Sequence, residues 1–140
     1  MSYMVAQALI VFSAAIVLLL GTIHLVYTFI GPKLKPRDPT LQTHMSQVPL
    51  VITRETTVWR AWIGFNASHS LSIILFGTVY AYLAIARPLV LFQSEFLVAL
   101  GAVFLLAYVV LAKAYWFAVP FAGAVLALLS YVAGIAVAWA

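Results

Sequence analysis

Four long apolar runs, parted by prolines, a glycine and charge, limit what this chain can fold into more than any other feature. They extend from about Met4 to Ile30, Ala61 to Ala86, Phe96 to Ala112 and Phe117 to Ala140. A helix crosses the hydrocarbon of a bilayer with roughly 20 mostly apolar residues, so each run is long enough to span or close to it. Breakers stand where the runs end: Gly31-Pro32, Pro36 and Pro39 close the first, Pro88 follows the second, and Lys113 parts the third from the fourth. Composition agrees, since 66% of residues are hydrophobic and 7% charged, whereas soluble domains are about half apolar and about a quarter charged. With a mean hydropathy of +1.16, the chain lacks the polar surface that a water-soluble globule needs. The expected fold is all-α: a four-transmembrane-helix bundle with antiparallel neighbours, forming one membrane domain over 1–140. Its helices are expected at about 4–30, 55–86, 96–112 and 117–140, with a basic cytoplasmic loop over 31–54. The second helix is carried back to Glu55 because the polar stretch before Ala61 also reads as helical.

Charge orients these spans. Lys33, Lys35, Arg37, Arg54 and Arg60 lie between the first two runs, and Lys113 falls in the loop on the same side, leaving Arg87 alone on the other. The positive-inside rule then puts the 32–60 segment in the cytoplasm and both chain ends outside. The net charge of +4 is thus explained by topology and implies no nucleic-acid partner. Trp59, Trp62, Tyr115 and Trp116 are expected at the inner interface, and Tyr3, Tyr80, Tyr82 and Trp139 near the outer one. The first run lacks a basic leader and a small-residue cleavage site, so it reads as a retained span. Cysteine is absent, which excludes disulfides, iron–sulfur clusters and thiol catalysis. In the fourth span Gly123, Ala127, Ser130 and Gly134 form a small-residue stripe suited to close helix packing, and Pro120 is expected to kink its start.

Chemistry concentrates in Thr53–Ser70, TRETTVWRAWIGFNASHS. On a helix advancing 100° per residue, Glu55, Trp59, Trp62, Asn66 and His69 fall within roughly 80° of arc. One face would then carry a carboxylate, two indoles, an amide and an imidazole. The first span offers Ser13, His24 and Thr28 on one side. With the inner bilayer face near Gly31 and Arg60, His24 and His69 lie at similar depth. Polar side chains inside a span are costly and turn toward partners, either as glue between helices or as a site. The Lys33–Pro39 run reads as a topology signal, or as a pocket for an anionic headgroup.

The runs GTIHLVYT (Gly21–Thr28), KPRD (Lys35–Asp38) and WRAWIGFNASHSL (Trp59–Leu71) resemble a family of small bacterial four-helix integral membrane proteins that is mostly uncharacterised. The resemblance covers roughly the first 80 residues. It implies the four-helix fold and points to the same residues, with no reaction attached. In chemistry rather than in motif, the site also looks like those of the emopamil-binding sterol-isomerase type.

Three functions fit. In the first, an amphipathic ligand such as an isoprenoid, quinone or other lipid lies between helices with its polar end near Glu55. Glu55, His69, Asn66 and His24 are then the candidates for acid–base chemistry, and Trp59, Trp62, Arg60, Thr28 and Ser70 the candidates for holding the ligand. In the second, the chain is an accessory subunit joined to other membrane subunits or to copies of itself, and the polar seam is inter-subunit glue. In the third, His24 and His69 are axial ligands of a non-covalent haem b. The sequence requires no cofactor, and the lipid bilayer is the one partner common to all three. Nucleophilic hydrolysis is poorly supported without a G-x-S-x-G run. So is carboxylate-bridged metal chemistry without a second intramembrane acid, and transport without an inverted repeat.

Overall fold

The computed structural model describes residues 2–140. Among them are six α-helices: α1 (Ser2–Phe29), α2 (Pro39–Gln47), α3 (Val58–Ala86), α4 (Pro88–Gln93), α5 (Glu95–Tyr115) and α6 (Ala118–Trp139). Four of these, α1, α3, α5 and α6, are long and apolar enough to cross a membrane. Between 22% and 33% of an 18-residue apolar stretch in each is buried within the protein, so most of each apolar surface is left for its surroundings to cover.

Local chemistry explains where the helices stop. Gly31 takes a positive φ of 82° just past α1, the left-handed conformation that closes a helix end at little cost for glycine. Asp38 caps α2, its carboxylate accepting from the Thr40 N–H at 2.9 Å and the Thr40 hydroxyl at 2.7 Å. The Thr40 hydroxyl, then the Thr40 amide, hold that carboxyl below the usual carboxylate range. Pro39 follows at the first helical position, where its missing N–H is no loss.

The helix expected over 55–86 begins instead at Val58. Val58 donates its N–H to the Val48 carbonyl at 2.9 Å, and Pro49 pairs with Thr57 in an isolated antiparallel bridge. The Thr57 hydroxyl accepts from the Arg60 N–H at 3.4 Å. Threonine hydroxyls compete for backbone donors in this way, which favours caps and turns over helix interiors. The expected 31–54 loop therefore contains α2, followed by a closed turn rather than a lead-in to α3. The six-residue α4, which opens with Pro88 in its first turn, also stands where a plain loop was expected.

The chain divides into two compact units, one comprising the residues up to Leu20 with Ile73–Ala140, the other Gly21–Ser72. In the first unit small residues set the packing. The Ser13 hydroxyl donates to the Ala127 carbonyl at 2.7 Å. A Cβ on Gly134 would meet Ile10 Cδ1 at 3.0 Å and the Ala6 carbonyl oxygen at 3.1 Å, so the α6 stripe is the surface against which α1 closes. Gly77 plays the same part for α3, where a Cβ would come within 3.1 Å of the Ala14 oxygen.

An aromatic ladder runs through Tyr80, Phe76, Phe104 and Tyr108 at centroid spacings of 4.4, 4.1 and 4.6 Å. Tyr80, expected near the outer interface, is buried at 4% exposure because its hydroxyl donates to the Leu97 carbonyl at 2.7 Å. Pro120 occupies the first turn of α6, where it has no helical bond to break, so it starts the helix rather than kinking it.

Candidate functional site

In the second unit the last turns of α1 and the first turns of α3 carry the polar side chains. His24 and Asn66 meet directly, with 3.0 Å between His24 Nε2 and Asn66 Oδ1. The amide orientation follows from its other end, since Asn66 Nδ2 donates to the Trp62 carbonyl at 2.8 Å and a carbonyl can only accept. Oδ1 therefore faces His24, and His24 Nε2 must carry the proton it donates. A neutral His24 then keeps its lone pair on Nδ1. The His69 ring packs edge to face on His24, with centroids 5.2 Å apart and planes at 75°. Asn66 is 9% exposed, and both histidines are half-buried.

The neighbouring hydroxyls are turned inward along their own helices. Thr28 donates to the His24 carbonyl at 2.8 Å and Ser70 to the Asn66 carbonyl at 2.9 Å. Both are buried. Each bond relieves a hydroxyl that would otherwise lie unpaired in an apolar segment. Ser70, a sequence candidate for ligand contact, is thus spent on the backbone under Asn66. Ser13 belongs to the packing of α1 on α6 and to no site.

A cleft of about 260 Å³ lies beside this cluster. Tyr27, Thr28 and Phe29 line it from the end of α1, Leu34 and Lys35 from the loop, Gln42 from α2, and Trp59 and Ile63 from α3. A second hollow of about 340 Å³ is lined by Lys33, Leu34, Lys35, Pro36, Met45 and Trp62. Leu34 and Lys35 border both, and the Trp62 indole N–H donates to the Leu34 carbonyl at 3.1 Å, tying the loop to α3. Pockets for drug-sized molecules run from roughly 300 Å³ upward, so the first cleft suits a headgroup or one end of a chain.

Not every sequence candidate arrives here. Glu55 is exposed in the loop before α3, its N–H donating to the Thr53 hydroxyl at 3.2 Å. Outside the helix, the 100° projection that aligned it with Asn66 and His69 does not apply. Arg60 sits on the first turn of α3, exposed, and is absent from both hollows. Trp59 is half-buried in the cleft wall, and Trp62 is 43% exposed. Gln42, Tyr27 and Ile63 escaped the sequence reading because a loop and α2 bring them together, and no periodicity links them. Lys35 was visible only as part of the basic run.

The histidine pair does not fit a haem. Axial ligation places the iron and its macrocycle between two imidazole nitrogens. Here the rings touch edge to face, and His24 Nε2 is engaged by Asn66. Among the described residues no three histidine or carboxylate side chains gather as metal ligands. Comparison of the chain with known proteins finds no matching family model, no matching curated protein and no matching solved structure.

Proposed function

We infer that this is a multi-pass protein of the bacterial inner membrane that binds an amphipathic, lipid-like ligand at the cytoplasmic leaflet. Both chain ends are outside, neighbouring spans are antiparallel, and the chain belongs with the small four-helix membrane proteins that its first 80 residues resemble. Orientation is supported by the cations, six of the seven being on the side of the 32–60 segment. The antiparallel reading is supported by contact order: Ile10, Ser13 and Leu20 of α1 meet Gly134, Ala127 and Gly123 of α6.

One observation carries the ligand reading. The cleft combines a cation and an amide, Lys35 and Gln42, with an aromatic and aliphatic wall of Tyr27, Phe29, Trp59 and Ile63. A charged or polar headgroup meets Lys35 and Gln42, and the chain below it runs along Trp59 and Ile63. Thr28, in the same wall, is one turn from His24, so the ligand passes beside the His24–Asn66–His69 cluster. These two imidazoles are the groups able to exchange a proton with it, and Asn66 holds one of them in a fixed tautomer. Lys35 and Gln42 take the headgroup role first given to Glu55.

Native mass spectrometry from mild detergent tests this. Wild-type protein is expected to retain a lipid-sized mass. Trp59→Ala removes an aromatic anchor worth about 1.4 kcal/mol, raises the ligand's Kd about tenfold and so lowers the retained fraction. Lys35→Ala selectively weakens anionic ligands. Wild-type protein free of any ligand, or found only with other chains, would end the ligand reading in favour of the accessory-subunit one.

A further inference from the structure

The turn between α2 and α3 presents its side chains the wrong way for water. Backbone bonds hold it closed: Val58 donates to Val48 at 2.9 Å, Thr53 donates to Leu50 at 3.3 Å, and Pro49 pairs with Thr57. Positions at the tip of such a turn are normally glycine, asparagine, aspartate or serine. Here they are Val51 and Ile52, with relative exposures of 109% and 89%. β-Branched apolar residues favour strands rather than turns, so backbone conformation gives no reason for this pair. Their side chains need something outside this unit to cover them.

We propose that the Leu50–Thr53 turn is a membrane-dipping anchor, with Val51 and Ile52 inserted into the interfacial layer of an anionic leaflet and Arg54 among its headgroups. Three observations select lipid over protein. The turn stands just ahead of Val58, where the second candidate span begins, and the six residue-to-residue steps from Ile52 to Val58 reach at most about 20 Å even fully extended. Two side chains offer far less surface than the roughly 1,000 Å² of a specific protein interface. The surrounding Pro32–Arg60 segment holds five cations against Asp38 and Glu55, complementing the negative potential of an anionic leaflet. The anchor sets the height of α2 and the loop at the bilayer surface. It depends on the four-span reading and is independent of the cleft ligand.

The chain has no cysteine, so single-cysteine variants can be made without altering its background. Val51→Cys, Ile52→Cys and, as a water-exposed control on α2, Thr43→Cys are spin-labelled and reconstituted in vesicles of mixed zwitterionic and anionic phospholipid. Collision rates with oxygen, which partitions into lipid, are compared with those of a water-soluble nickel chelate. The oxygen-to-nickel ratio is expected to be several-fold higher at 51 and 52 than at 43, with melting temperatures matching the unlabelled protein. A ratio at 51 and 52 equal to that at 43 would place the turn in water and overturn the proposal. Labels shielded from both reagents would also overturn it, by assigning the turn to a protein contact.

Discussion

Gly101→Ala is expected to lower the melting temperature of the detergent-solubilised protein by on the order of 10 °C, a far larger effect than one methyl group ordinarily has. The new Cβ would fall on the Tyr131 hydroxyl and come within 2.6 Å of Tyr131 Cζ and 2.7 Å of Tyr80 Cε1. Neither ring is free to yield. Tyr131 is 1% exposed and its hydroxyl donates to the Val98 carbonyl at 3.0 Å. Tyr80 is held by Leu97 and stacked on Phe76. Overpacking at such a site costs about 1–3 kcal/mol or more. Gly64→Ala supplies the contrast, because its added Cβ meets nothing within 4 Å; its melt should match wild type or rise slightly. Combining Gly101→Ala with Tyr131→Phe removes the nearest overlap, so the double variant should lose less than the two single losses added together. A Gly101→Ala protein that melts with wild type would mean that Tyr131 is not seated against α5 as described.

The second large effect is expected at Asn66. Asn66→Leu strips the His24 Nε2 proton of its acceptor inside an apolar segment, and an orphaned donor of this kind costs about 1–3 kcal/mol. Replacing both partners is different, since His24→Phe with Asn66→Leu leaves no polar atom unpaired. The double variant should therefore lose less than the sum of the single losses. Couplings between membrane helices average about 0.6 kcal/mol and reach about 1.7, and this one should lie at the upper end because the amide orientation is fixed at both ends. Reversible unfolding in mixed micelles measures all four proteins. Strict additivity would show that the 3.0 Å contact contributes nothing to stability.

Much of the cluster was legible in the sequence. Asn66 and His69 stand three apart on one helix face, and two apolar runs ending at comparable depth bring His24 to them. The position of Glu55 ahead of the helix was not legible, because three nearby threonines and the Val48–Val58 backbone bond start α3 just past the carboxylate. Gln42 and Tyr27 were not legible as site residues because the cleft is assembled from a loop, a short polar helix and two span ends. The burial of Tyr80 was not legible either, because it depends on the Leu97 carbonyl of α5 lying across from its hydroxyl.

The sequence alone determined that the protein is all-helical, with four helices long and apolar enough to cross a membrane. Inside a bilayer every backbone polar group must be satisfied within its own segment, so long apolar runs between breakers have one outcome. It also marked the α6 stripe, because only small residues let two backbones approach so closely. Only the tertiary structure decided which faces meet. Lipid and protein interior are equally apolar, so hydrophobic periodicity does not distinguish a face covered by α1 from one covered by acyl chains. The same limit applies to the cleft, the Tyr80–Tyr131 contact at Gly101 and the exposed Val51–Ile52 tip, whose side chains are defined by what lies across from them rather than by their neighbours along the chain.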